Sequence, residues 1–423
     1  MNRFPFFALL AVLLFWTCTK EGGPGEGHDP AETSEAPAQL VERLGLGWNL
    51  GNQLDAFYNY KEAGSKYNMP DETCWGNPKV TSATFKAVKA AGFSSVRLPV
   101  TWLGKIGPAP EYTIDDLWLN RVYQVAGYAH SAGLNVIVNT HHDENHGDDH
   151  WLDIAGAAVN SSLNERIIGE ITAVWTQIAT KFADCADWLI LEGFNEINDG
   201  GWGHSEAFEA NPSKQCEVLN EWNQAFVDAV RATGGNNATR WLGCPTYAAS
   251  PAYASYARMP EDPAGKLLLA VHFYDPYEYT IGEDQFPEWG HTGKSGKKAA
   301  WGDESNVRKV LGKLSTEFVQ KGIPVYLGEF GCSMRKQSEA RAWAFYKYYL
   351  EYVVKAARTY GMPCLLWDNG VVGAGAENHG YLDHGTGAYI NGSEPLIETM
   401  VKAWSSTDAS YTLQSVYDSA PQL

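Results

Sequence analysis

Residues 324–331 read PVYLGEFG. Val325, Tyr326 and Leu327 are apolar at consecutive positions, so a strand here has no polar face and is buried on both sides, as strands of parallel sheets are. Glu329 then places a charge at the carboxyl end of the run. Burying it costs free energy unless it is paired or used.

The same form recurs along the chain. Strand candidates are Leu44 to Asn49, Ser95 to Pro99, Asn135 to Thr140, Trp188 to Phe194, Thr239 to Gly243, Leu267 to Phe273, Val325 to Glu329 and Cys364 to Trp367. Between them lie amphipathic stretches predicted as helices: Ser82 to Ala91, Leu117 to Ala132, Glu165 to Ala183, Glu217 to Thr233, Ser305 to Lys321 and Ser338 to Tyr360, with Pro395 to Trp404 closing the chain. This alternation predicts an α/β fold. A (β/α)8 barrel as a single catalytic domain is expected, with a doubly wound open sheet as the alternative. The strand ends favour the barrel. Asn49, Arg97, His141, Glu196, His272, Glu329 and Trp367 sit at or just past them, and a barrel gathers such ends on one face.

Bulk properties set limits. The chain has 423 residues, and one barrel commonly occupies more than about 250. Hydrophobic residues make up 44%, enough for a large core. With 32 Lys and Arg against 50 Asp and Glu, the net charge is −18, which argues against a nucleic-acid partner and suits a neutral substrate. The 16 Trp and 22 Tyr are an excess. Some of these rings fill the core; others are expected to line a cleft, where flat aromatic faces stack on sugar rings.

The amino terminus reads as a targeting segment. Arg3 is followed by an apolar run from Phe4 to Trp16, too short to span a bilayer comfortably. Cys18 comes next, as the lipidated residue does in bacterial lipoprotein signals, although Trp16 and Thr17 are bulkier than is usual there. Export is expected, to the cell surface or periplasm as an outer-membrane lipoprotein anchored through Cys18, otherwise by secretion. The expected organisation is a signal over 1–18, a flexible linker rich in Gly, Pro, Glu, Ala and Ser over 19–39, the catalytic domain over 40–410 and a tail over 411–423. Six cysteines remain: Cys74, Cys185, Cys216, Cys244, Cys332 and Cys364. None has metal-type spacing, and both disulfides and buried thiols are open to them.

Two carboxylates carry the chemistry. Glu196 lies in LEGFNEI, just past the fourth strand candidate, and Glu329 ends the seventh. Two acidic groups flanking a bond are what glycoside hydrolysis requires: one gives a proton to the leaving oxygen, the other attacks or activates water.

With these residues in place the chain resembles glycoside hydrolase family 5, the cellulase family A, from about Leu44 to Trp404. The resemblance rests on Asn195-Glu196 in GFNEI, Glu329 in LGEFG, Arg97 in SVRLPVTW, His141 in NTHHD, His272 and Tyr274 in VHFYDPY, and Trp367 in LLWDNG. GWNLGNQLDA, which holds Asn49, ETCWGNP, and HHD with both His141 and His142 are similar to the bacterial endo-β-1,4-glucanase and xyloglucanase subfamily 4. One departure stands out: Asp383-His384 occupies a place where that subfamily has Asp-Arg.

The resemblance implies a retaining, endo-acting enzyme on β-1,4-glucan backbones, cellulose-type glucan and xyloglucan. Glu196 would be the acid/base and Glu329 the nucleophile. A second carboxylate about 5 Å away favours the protonated form of Glu196 by like-charge repulsion. Arg97 keeps Glu329 ionised, and Tyr274 donates a hydrogen bond to it. Asn195 meets the sugar 2-hydroxyl, His141 and His272 orient the polar network, and Trp367 offers a stacking floor.

No cofactor and no metal are expected. HHDENHGDDH, residues 141–150, has no zinc-helix spacing and reads as a polar loop lining the cleft. The partner is a β-glycan polysaccharide, and a monomer is expected. The same mechanism on mannan, xylan or mixed-linkage glucan is the nearest alternative. A non-catalytic surface glycan-binding lipoprotein is the other class, opposed by the intact Glu196 and Glu329.

Overall fold

The computed structural model describes residues 35–57, 71–144, 150–282 and 286–422. The leader with Cys18, the linker as far as residue 34, and residues 145–149 of the His-rich loop lie outside them.

Eight parallel strands close a barrel in chain order: β1 Leu46–Leu50, β2 Ser95–Leu98, β3 Asn135–Asn139, β4 Leu189–Glu192, β5 Leu242–Pro245, β6 Leu267–Phe273, β7 Val325–Phe330 and β8 Cys364–Asp368. β8 pairs back onto β1, with Trp367 opposite Asn49. Closure removes the sheet edges and rules out the open doubly wound sheet.

The outer layer is α2 Ser82–Ala90, α3 Asp116–Ser131, α4 Ser161–Lys181, α5 Pro212–Ala232, α6 Glu304–Glu317, α7 Ala340–Tyr360 and α8 Glu394–Ser405, preceded by α1 Pro37–Leu44 and followed by α9 Leu413–Asp418. Side-chain caps set several starts. Asp115 accepts from the Trp118 amide at 2.8 Å, and Asn160 from that of Leu163 at 3.2 Å. Between β5 and β6 the chain makes 3-10 turns instead of a long helix, punctuated by Pro245 and Pro251.

Two apolar assemblies hold the fold. The larger packs the outer strand faces on the helices. The smaller lies inside the barrel: Ile137, Ile190, Trp241, Leu268, Ala270, Tyr326 and Leu365, with Leu40 and Leu44 of α1. Leu40 and Leu44 are one helical turn apart, so α1 plugs the barrel floor with one face.

The expected domain start at residue 40 falls inside α1, which opens at Pro37. Glu35, the first described residue, is tied to the fold: its carboxylate takes Arg43 Nε at 2.7 Å and Trp241 Nε1 at 2.9 Å. The open floor needs an apolar lid, which Leu40 and Leu44 supply, while Glu35 ties the start of the segment to Arg43 and Trp241. Residues 411–422 are likewise no loose tail. Val416 is buried, the Tyr411 hydroxyl reaches Glu351 at 2.5 Å, and Tyr417 stacks on His291 at 3.9 Å. The fifth strand also begins later than Thr239. Arg240 is spent on the carbonyls of Phe182, Cys185, Ala186 and Leu189, and Trp241 on the floor.

Cys74, Cys216, Cys244, Cys332 and Cys364 are free thiols, and all but Cys74 are buried. Burial pushes Cys74 and Cys332 up to about 11. Cys185 is buried as well. Among the described residues no helix is long and apolar enough to cross a membrane.

Candidate active site

Strand alternation sends every second side chain into the barrel. Below lie Ile137, Ile190 and Leu365. One step up the same faces carry Asn139, Glu192 and Trp367, with Asn49 and Arg97 beside them on β1 and β2. This polar layer crowns the apolar one at the carboxyl ends of the strands.

β7 needs an irregularity to join it. Tyr326 faces inward, so regular alternation would turn Glu329 out toward the helices. The register between β6 and β7 instead steps from Val271 opposite Leu327 to His272 opposite Glu329, leaving Gly328 as an extra residue. This bulge turns Glu329 into the barrel. Glycine keeps that spot clear, because a Cβ on residue 328 would sit 3.0 Å from His272 Nε2.

Arg97 is the hub. It is fully buried and uses all its donors. Its NH1 meets Glu329 Oε1 at 2.7 Å and Asn49 Oδ1 at 3.1 Å. Its NH2 meets Asn195 Oδ1 at 2.7 Å and Glu192 Oε1 at 2.7 Å, and Nε reaches Glu192 Oε2 at 3.0 Å. Engaging Asn195 Oδ1 fixes which way that amide faces.

Glu196 and Glu329 stand together, with one oxygen of each and a ring nitrogen of His272 all within 4.8 Å of one another. His272 Nδ1 is 2.6 Å from Glu196 Oε1 and 3.7 Å from Glu329 Oε2. The Tyr274 hydroxyl donates to Glu329 Oε2 at 3.0 Å. His141 Nε2 lies 4.0 Å from Glu329 Oε1, and its ring is parallel to Trp367 at 5.7 Å.

The electrostatics follow from burial against charge. Burial raises the Glu329 carboxyl, His272 and Arg97 pull it down, Glu196 pushes it up, and the net is upward. Burial lowers His272, but Glu329 and Glu196 outweigh it, and the imidazole ends above its ordinary value. His141 is held well below it by burial, with His142 and Arg97 adding to the effect, and so stays neutral. Burial lifts Tyr274 far above the usual phenol range, keeping its proton for Glu329.

Nine of the ten cleft residues expected from the sequence therefore meet: Asn49, Arg97, His141, Asn195, Glu196, His272, Tyr274, Glu329 and Trp367. His142 stands at the edge of this group, its ring 4.4 Å from that of His141. Half-buried, it lies 3.7 Å from Asp55 and packs its ring against Phe57 and Trp75, each at 5.7 Å. Burial lowers its pKa and the Asp55 contacts outweigh that. Asp55, His141 and His142 bring three donor atoms within 4.8 Å, the second such group beside Glu196, His272 and Glu329 among the described residues.

In the described part of the His-rich stretch the acidic residues turn inward. Asp143 is buried and accepts from Trp151 Nε1 at 2.7 Å; Glu144 is buried too. The departing His384 is an internal brace, nearly fully buried, edge-on to Trp48 and 3.5 Å from Asp368.

The sequence reading overlooked Glu192, Tyr326, Asn139 and Asp55. Glu192 had a signal: a carboxylate inside the apolar run LILEGF. The Trp residues fall into two sets. Trp48, Trp102, Trp175, Trp222 and Trp289 fill the interior, while Trp75, Trp202 and Trp301 stand exposed in loops that follow β1, β4 and β6.

Residues 60–373 match the sequence model of cellulase, glycosyl hydrolase family 5. The chain belongs to that family. It is 35% identical over 388 residues to endoglucanase A of Paenibacillus barcinonensis, covering 88% of this chain and 91% of that one. A broad-specificity endoglucanase of subfamily 4 from Bacteroides salanitronis superposes with a TM-score of 0.82 at 45% identity, over 92% of this chain and all of that one. A family 5 xyloglucanase from Paenibacillus pabuli gives 0.77 at 34% identity, over 86% and 99% of the two chains. This family 5 enzyme has the closed (β/α)8 barrel that its sequence implied.

Proposed function

We propose that this family 5 enzyme cleaves internal bonds of β-1,4-glucans by double displacement, with Glu329 as nucleophile, Glu196 as acid/base and xyloglucan among its substrates. The observation that carries the residue roles is the unequal setting of two adjacent carboxylates. Glu329 is held by a guanidinium and a phenol hydroxyl, donors that favour its charged form. Glu196 has a single imidazole partner and part of its surface open to the cleft. Oxygens within 4.8 Å suit a retaining pair, because the inverting geometry needs room for a water between them.

In the first step Glu329 attacks the anomeric carbon while Glu196 gives its proton to the departing glycosidic oxygen. The carboxylate left on Glu196 is then met by an N–H of His272. In the second step Glu196 takes a proton from water, which attacks the glycosyl ester and frees Glu329. Asn195, oriented by Arg97, is placed for the 2-hydroxyl, a contact that strengthens at the transition state.

Endo action on glucan agrees with the endoglucanase relatives, and breadth toward xyloglucan is supported by the broad-specificity and xyloglucanase neighbours. The long loops after β6 and β8 carry Trp301, Tyr277 and Tyr389 as exposed rings. Aromatic platforms of this kind hold a chain without enclosing it. Early viscosity loss against reducing-end release on xyloglucan tests the reading: a steep drop supports it, and greater activity on mannan or xylan than on any glucan overturns the substrate.

Export by the leader, a lipid on Cys18 and a monomeric state belong to the same proposal. Export and the lipid rest on the leader's anatomy and its tether-like continuation. Release of a Cys18→Ala variant from membranes is the expected outcome.

A further inference from the structure

Glu192 and Arg97 form a bidentate ion pair with no solvent exposure, Nε to Oε2 at 3.0 Å and NH2 to Oε1 at 2.7 Å. Glu192 is itself held by the Tyr326 hydroxyl at 2.5 Å and by Asn139 Nδ2 at 3.2 Å. Arg97 thus serves two buried carboxylates with one positive charge.

We infer that Glu192 is a positioning residue for Glu329: it fixes which edge of the Arg97 guanidinium meets that carboxylate and shares the cation's charge, so that Glu329 remains a competent nucleophile. The inference rests on the nucleophile assignment above.

Three observations carry it. A fold that needed only a cation for Glu329 would be complete with Arg97 alone, whereas a second buried carboxylate adds desolvation cost and leaves the trio with net negative charge. The wall is also cut away to admit the contact: a Cβ at Gly243 would lie 2.5 Å from the Tyr326 hydroxyl and 3.3 Å from Glu192. Third, the NH2 that Glu192 anchors also holds Asn195 Oδ1 at 2.7 Å, so one guanidinium orientation sets both the amide beside Glu196 and the partner of Glu329.

The charge argument has a sign. Facing Glu329 are Arg97 from β2, His141 after β3, Glu196 after β4, and His272 and Tyr274 at the end of β6. Facing Glu192 are Arg97, Tyr326 of β7 and Asn139 of β3, with His272 farther off. Glu192→Gln removes one negative charge and keeps the shape. The whole charge of Arg97 then falls on Glu329, which becomes less basic and a weaker nucleophile. Tyr326→Phe acts the other way. Glu192 loses a donor that disperses its charge, draws harder on Arg97, and leaves Glu329 more basic.

The test is the inactivation rate by a 2-deoxy-2-fluoro cello-oligosaccharide with a dinitrophenyl leaving group, measured against pH, with the labelled peptide identified by mass. In Glu192→Gln the label should stay on Glu329, form about tenfold more slowly, and show an acidic limb displaced about one unit to lower pH. In Tyr326→Phe the limb should move to higher pH. A Glu192→Gln enzyme with unchanged limb and rate, or with only a lowered melting temperature, overturns the inference. Should Glu192→Gln fail to fold, an unmoved limb in Tyr326→Phe overturns it equally. A label on another residue in the unsubstituted enzyme overturns the nucleophile assignment itself.

Discussion

His272 Nδ1 lies 2.6 Å from Glu196 Oε1 and 3.7 Å from Glu329 Oε2, so one imidazole stands between the two carboxylates. It is a cation when protonated and pulls the Glu329 carboxyl down against the upward push of burial. The active form needs Glu329 ionised, so activity falls as pH drops through its raised pKa. The acidic limb of kcat/KM should therefore lie above the ordinary glutamate value of about 4.3. His272→Phe removes a downward influence and should move that limb to still higher pH, opposite to the shift expected of Glu192→Gln. A limb that moves down would contradict the electrostatic account.

Glu196→Ala should lower polymer cleavage by at least about a hundredfold. Substrates with activated leaving groups need no proton and should still form the glycosyl-enzyme. Added azide should then speed turnover and give a glycosyl azide of retained configuration. Equal loss on both kinds of substrate would count against Glu196 as the acid/base.

Glu144 is buried beside the cleft, and burial pushes its carboxyl up to about 8. The folded chain therefore binds a proton there that the unfolded chain releases above the ordinary glutamate value of about 4.3. A raised carboxyl destabilises the fold as pH climbs from the unfolded value toward the folded one. Glu144→Gln should stabilise by about 2–3 kcal/mol at pH 7 and by almost nothing at pH 4. Thermal unfolding at the two pH values checks this, and an equal gain at both would refute it.

Leu44 fills the barrel floor from α1 with no solvent exposure. Leu44→Ala should cost about 2–5 kcal/mol of unfolding free energy by leaving a cavity. Because the floor lies at the opposite end of the barrel from the catalytic face, kcat at a temperature where the variant is folded should be unchanged. Loss of kcat without loss of stability would show that the plug shapes the site.

Much of this was legible in the sequence because both faces of the strands are buried. VIVN, LLLAVHF and PVYLGEF have no polar alternation until the polar layer begins, so the polar residues that end them mark the catalytic face. Glu192 escaped because it sits inside such a run, and its meaning comes from Arg97, 95 residues away. Tyr326 looked like one more apolar strand residue; only the space left by Gly243 shows what its hydroxyl reaches. The floor was hidden for another reason. α1 is short and follows a stretch rich in Gly and Pro, and its purpose exists only once the barrel has closed. His142 was grouped with His141 by adjacency; the two rings do meet edge-on at 4.4 Å, but the partner of His142 is Asp55, which no local pattern announces.

The central claim is that Glu329 forms the covalent intermediate. The most direct measurement is the mass of the active-site peptide after trapping with a 2-deoxy-2-fluoro cello-oligosaccharide. The account predicts a single added glycosyl group on the peptide containing Glu329. A modified residue other than Glu329 would contradict it.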